Sequence, residues 1–360
     1  MNSSDVVSGL LVKLATRCNL DCNYCYWFSD ENVYKKPAIL TESAGKKLIE
    51  RIKNYVNKCG LEQFHITFHG GEPLLYGKKR FKELCDQLYE ASSQANYIQT
   101  FSVTTNGILI DNEWCDLFSR YDVQVCISLD GPEYINDRNR VDLKGIGSYQ
   151  RVITGINCLE ANNIKWSVLS VCDPSSNPIE VATHLVDVLG KNSFDILIPD
   201  GNHESEDLKS VALYYIELFD FWWTVMAKNG VRIRLFDNIL LGLLGGQSKT
   251  QSIGLAPVTT VVIQTDGSIE CLDVLRIAGS EKCETKLDVF ENCLSEIFYD
   301  ETFRSVKHAS TKLNSECNEC RYLKVCGGGH LSHRWSESNN YDNPSIYLSL
   351  IHISEPTRPY

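Results

Sequence analysis

Gly9-Leu10-Leu11-Val12-Lys13-Leu14-Ala15-Thr16-Arg17-Cys18-Asn19-Leu20-Asp21-Cys22-Asn23-Tyr24-Cys25 is an apolar run followed at once by a loop with three cysteines. The run reads as a buried strand. Asn19, Asp21 and Asn23 are turn-tolerant residues, so Cys18, Cys22 and Cys25 fall on one tight loop. Three thiolates so placed can hold three corners of a cubane iron–sulfur cluster. The fourth iron is then open to bind a ligand and pass it an electron. A closed zinc site would need a fourth ligand, and none stands nearby in the sequence.

From that loop outward, strand-like runs alternate with helical patterns. The strands fall near 8–16, 64–69, 99–104, 123–128, 164–171 and 194–199. The helices fall near 42–58, 78–94, 111–119, 148–161, 178–189 and 207–228. The expectation is an α/β fold, a right-handed parallel assembly amounting to a partial (β/α)6 TIM-like barrel. In such barrels functional residues collect at the carboxyl ends of the strands. Cys18, Gly70, Asn106 and Asp130 all follow such ends.

The loop spacing, with an aromatic before its last cysteine, resembles the radical S-adenosylmethionine (SAM) enzymes. Gly70-Gly71-Glu72-Pro73, Thr105-Asn106-Gly107 and Ile127-Ser128-Leu129-Asp130-Gly131 carry the same resemblance, each closing an apolar strand. It implies a [4Fe-4S] cluster on Cys18, Cys22 and Cys25 with SAM on the open iron. Gly70, Gly71, Glu72 and Pro73 would then meet the SAM amino group, with Asn106 nearby. Ser128 and Asp130 would meet its ribose, Arg140 its carboxylate and Tyr24 its adenine. Arg138 is a rival for the place of Arg140, and each of these residues also has a plain structural reading as a turn cap, surface charge or core filler.

The 360 residues carry a formal net charge of −11 and no basic stripe, which disfavours a polyanion-binding face such as a nucleic-acid site needs. The longest apolar helix, 211–228, contains Glu217 and Asp220, so it reads as amphipathic and no membrane partner is expected. The polar N-terminus has no signal-peptide pattern. Fifteen cysteines, in two tight clusters plus scattered singles, suit a reducing cytoplasm. Those outside the clusters, among them Cys85, Cys115, Cys172, Cys283 and Cys293, read as small buried hydrophobes.

The domain expectation is a core over 1–230, a connecting segment over 231–256 and a cysteine-rich region over 257–347. That last region opens with a hairpin, Thr259 to Gln264 and Ser268 to Val274, turning at Asp266-Gly267. From Leu348 the tail reads as the translation of a sequencing adapter, with the natural C-terminus missing, and it is excluded from fold reasoning.

Cys317-x2-Cys320-x5-Cys326 followed by Gly327-Gly328-Gly329-His330 resembles the SPASM extension of peptide-modifying radical SAM enzymes. The resemblance implies an auxiliary [4Fe-4S] cluster on Cys317, Cys320 and Cys326. His330 stands where the pattern has its next cysteine, and Leu272 where it has another. Zinc on Cys317, Cys320, Cys326 and His330 is the alternative. The segment resembles most the maturases that crosslink an aromatic ring to a Cβ, forming cyclophanes in ribosomally made peptides. The implied partners are a precursor peptide, a reductant such as flavodoxin or ferredoxin, and a separate leader-binding protein. Asp273 is the candidate base. The rival readings are an anaerobic sulfatase-type maturase forming formylglycine, and a non-catalytic zinc scaffold.

Overall fold

A computed structural model describes residues 6–205, 211–248 and 250–347, so the tail from Leu348 lies outside the described residues. Contacts divide the chain into two compact units. The first gathers residues up to 128 with 140–166 and 259–306; the second gathers 129–139, 167–258 and the residues from 307.

In the first unit the strands Gly9–Ala15, Gln63–Gly70, Ile98–Thr105 and Val123–Ser128 run parallel in that order. The helices Glu42–Cys59, Lys78–Ala95 and Asn112–Arg120 connect them, as the alternation of periods predicts. Alternate residues point to opposite faces of a strand, so Phe64, Ile66 and Phe68 are buried together and Phe68 stacks on Phe101 at 5.3 Å. The Thr41 hydroxyl accepts from the Ala44 N–H at 3.2 Å to start the first helix, and Gly60, at φ 62°, ends it.

The first strand breaks its alternation at the end nearest the cysteine loop. Its register against Gln63–Gly70 shifts between Lys13 and Ala15. Lys13, Leu14 and Ala15 are consequently buried in succession, and a lysine enters the interior.

Val262–Ile263 adds to the other side of this strand, parallel to Leu11 and Val12. Ser268–Glu270 and Glu284–Asp288 follow antiparallel. The expected turn at Asp266-Gly267 is present, with the Ser268 N–H donated to Asp266 Oδ1 at 3.0 Å. The second hairpin strand, however, ends at Glu270 instead of reaching Val274. A 3₁₀ turn over Asp273–Ala278 replaces it because Arg276 turns inward to the carboxylates of Asp30 and Glu270.

In the second unit Trp166–Val171, Ser193–Leu197 and Arg232–Ile233 run parallel. The helix expected over 178–189 is α-helical over Pro178–Thr183 and widens to a π turn over His184–Val188. The helix expected over 207–228 is α-helical over Ala212–Phe221 and again widens over Trp222–Met226; its first residues lie outside the described ones. Within 231–256 stands the helix Arg234–Leu243, which buries Leu235, Phe236 and Ile239. Its Gly242 permits a close approach: a Cβ there would lie 3.2 Å from the Val325 Cα.

All fifteen cysteines are free thiols. Cys85, Cys115, Cys172 and Cys283 are buried as expected, but Cys293 is exposed, placed at the start of the turn Leu294–Tyr299. Among the described residues no helix is long and apolar enough to cross a membrane.

Candidate active site

The cysteine loop follows the buried end of the first strand. Its turn closes with the Cys25 N–H donated to the Cys22 carbonyl at 3.1 Å. The Leu20 N–H is aimed at Cys18 Sγ at 3.3 Å, and Asn106 Nδ2 lies 3.8 Å from the same sulfur. Burial, and then Glu72, push the Cys18 thiol up to about 12. Burial also raises Cys25, against backbone N–H groups of Phe28 and Trp27 that favour its thiolate. A thiol so held gives up its proton when a metal takes it. Three sulfurs on one loop with N–H donors aimed at them fit an iron–sulfur cluster, whose sulfurs are tuned by such hydrogen bonds.

Gly70 and Gly71 pack backbone against backbone on this loop. A Cβ on Gly70 would fall 2.1 Å from the Ala15 carbonyl oxygen, and one on Gly71 2.4 Å from that of Arg17. The Gly71 and Glu72 N–H groups donate to those same two carbonyls, at 2.9 and 2.8 Å. The glycines therefore fasten the turn to the cysteine loop, a reason beyond the close approach to a ligand that the sequence suggests. Glu72 is wholly buried. Its carboxylate accepts from Leu74 N at 2.9 Å, Thr105 Oγ1 at 2.7 Å and Asn106 N at 2.9 Å. Burial raises its pKa, and these donors oppose the rise. Glu72 thus joins three successive loops, with Pro73 starting the turn that follows. Asn106 reaches back to Asn19 Oδ1 at 2.7 Å.

Arg140 is buried and donates to the Tyr24 hydroxyl at 2.7 Å, so two expected SAM contacts meet. Ser128 is half-buried at its strand end. In the second unit Arg138 pairs with Asp173 at 3.1 Å and donates to Ser175 at 2.6 Å. Asp130, in that unit also, accepts the Val171 N–H at 2.9 Å on one carboxylate oxygen.

Asp273 lies in the first unit with partners the sequence reading missed. It forms an ion pair with Lys13 and accepts from the Tyr26 hydroxyl at 2.9 Å. The Lys13 ammonium also lies 3.3 Å from His69 Nδ1 and 4.2 Å from the centre of the Trp27 ring. Burial opposes the charge on Asp273, but Lys13 leads the groups that hold its carboxyl below the usual carboxylate range. Burial and Lys13 together push His69 down to about 3, so its ring stays neutral. The available signal was a single lysine inside an apolar strand.

Cys317, Cys320 and Cys326 line one cavity of about 100 Å³ together with Leu323 and Pro344. Burial raises the Cys326 thiol to about 11. Donor atoms of His330, Asp200 and His333 lie within 4.8 Å of one another.

Residues 12–187 match the Radical SAM superfamily, and this stretch is a radical SAM domain. The chain is 28% identical over 341 residues to a cysteine-type anaerobic sulfatase-maturating enzyme of Clostridium perfringens, across 89% of this chain and 88% of that one. It is 25% identical over 363 residues to a serine-type enzyme of Bacteroides thetaiotaomicron, across 92% and 84%. The solved structure of native anSMEcpe with bound AdoMet and a Kp18Cys peptide has the same fold: TM-score 0.84, 23% identity, 96% of each chain.

Proposed function

We propose, from the premise that this chain is an enzyme carrying a radical SAM domain, that it oxidises a side chain of a peptide substrate at Cβ. Cys18, Cys22 and Cys25 would hold the [4Fe-4S] cluster. Gly70 to Pro73, Asn106, Ser128, Asp130, Arg140 and Tyr24 would hold SAM. When bound and reduced, this pair supplies a 5′-deoxyadenosyl radical that takes a hydrogen atom from the substrate.

The observation that carries the reading is the buried pair of Lys13 and Asp273. Completing a two-electron oxidation requires the substrate to lose one proton and one electron besides. A carboxylate kept ionised by an adjacent ammonium has a lone pair open to that proton. Tyr26, bonded to the same carboxylate, is placed to relay it. Cys317, Cys320 and Cys326 would hold the electron acceptor, an auxiliary [4Fe-4S] cluster. Neutral His69 steadies Lys13 without adding a second charge.

The sulfatase-maturase relatives, similar over nearly the whole chain, support a cysteine or serine substrate converted to formylglycine. Leu272 and His330, where the SPASM pattern has cysteines, support the second reading, an aromatic ring joined to a Cβ. Anaerobic incubation with SAM, dithionite and two synthetic peptides, followed by mass spectrometry, tests both. One peptide carries a sulfatase-type cysteine and the other an aromatic residue near the C-terminus. Formylglycine supports the first reading, and a crosslink with loss of two hydrogens the second. No deoxyadenosine beyond that of a Cys22→Ala control would sink both.

A further inference from the structure

We infer that Asp200, His330 and His333 form a binding site for one divalent metal ion of the zinc class. One donor atom from each residue lies within 4.8 Å of the other two. The fold builds this grouping deliberately. Gly327, Gly328 and Gly329 have φ of 62°, 83° and 74° in succession. A Cβ on Gly327 would fall 2.0 Å from the Gly254 carbonyl oxygen, so the chain turns here only with glycine. The turn delivers His330, and one 3₁₀ turn, closed by the His333 N–H on the His330 carbonyl at 3.1 Å, delivers His333.

The second contacts of both rings are those of ligating histidines. His333 Nε2 lies 3.1 Å from the Pro199 carbonyl oxygen. A carbonyl only accepts, so Nε2 carries the hydrogen and Nδ1 of the neutral ring carries the lone pair. The same bond ties His333 to the residue preceding Asp200. His330 is held through Nδ1 by the Ser332 hydroxyl at 2.7 Å. Ligand histidines characteristically have one nitrogen fixed in this way by a carbonyl or another polar group.

Two imidazoles and a carboxylate suit zinc and similar ions better than calcium or magnesium. Bonds of about 2.1 Å set tetrahedral donors about 3.4 Å apart, so the site closes by a modest shift of the exposed Asp200 carboxylate. Three protein ligands leave one position for water or an incoming ligand. None of the three residues lines the cavity of Cys317, Cys320 and Cys326; His333 and Cys326 line a neighbouring one together.

The test uses the full chain, purified without oxygen with its iron in place, equilibrated with zinc sulfate and desalted. Zinc content is measured beside iron, and the ligand shell is read at the zinc X-ray absorption edge, where iron does not interfere. The expected result is about one zinc per chain with nitrogen and oxygen ligands alone. Asp200→Asn and His330→Ala should each weaken zinc binding at least about tenfold with iron content unchanged. Sulfur in the zinc shell, no retained zinc, or undiminished binding by Asp200→Asn would overturn the proposal. Because Asp200 is exposed, that variant decides the matter without a question of folding.

Discussion

The Lys13 ammonium and the Asp273 carboxylate form an ion pair in which neither side chain is more than 5% exposed. One comes from the first strand and the other from the turn after the hairpin, and strand pairing between Leu11–Val12 and Val262–Ile263 brings them together. A buried charge needs its partner: losing one partner of such a pair costs about 3–5 kcal/mol.

Asp273→Asn should therefore separate two activities. Deoxyadenosine formation should persist, because the cysteine loop is untouched, while peptide product falls at least about 100-fold, the range of a lost general base. Chromatography of both products from one reaction checks this. Lys13→Met, which strands the carboxylate, should also lower the unfolding free energy by about 3–5 kcal/mol, measured by denaturant titration.

The pH dependence follows from the direction of each shift. The folded pKa of Asp273 is depressed, so its stabilisation is present above the unfolded value of about 3.9 and is lost as pH falls through the folded one. His69, at about 3, refuses a proton that the unfolded chain accepts below about 6.5. Stability should fall from about pH 6.5 down to about pH 3, and His69→Asn should flatten part of that slope in denaturation midpoints taken across the range.

Gly71→Ala places a methyl 2.4 Å from the Arg17 carbonyl oxygen, two backbones that cannot both yield. A loss of about 1–3 kcal/mol is expected, with iron content reduced because the displaced residue precedes Cys18. Thermal unfolding and iron analysis of the anaerobic protein report the two effects.

Glu72→Gln turns one acceptor oxygen into a donor in a pocket lined by the donors of Leu74, Thr105 and Asn106. One buried group is then unsatisfied, at about 1–3 kcal/mol. SAM binding, followed by equilibrium dialysis, should weaken with it. Arg138→Ala removes a half-exposed surface pair and should leave SAM binding unchanged, whereas Arg140→Ala should weaken it.

The strands and helices were legible because each follows from a local period, and the cysteine loop because its ligands lie within eight residues of sequence. Lys13 was visible but mute: nothing local says that the register shifts at its strand's end and turns it inward. Its partners His69 and Asp273 belong to distant segments that only the sheet topology unites. The same holds for His333, which the fold ties to the distant Pro199 carbonyl at 3.1 Å. The hairpin's second strand was overextended because apolar residues 272–275 pack as a 3₁₀ turn around a buried arginine just as well as they would in a sheet.

The parallel pairing of Val262–Ile263 with the first strand also bears on the order in which the protein is made. The flank of Gly9–Ala15 is completed by a segment that leaves the ribosome some 250 residues later, and Asp273 later still. Contacts of such long sequence separation form slowly. Throughout most of synthesis the first strand therefore lacks the neighbour that completes its flank, and Lys13 lacks its counter-charge.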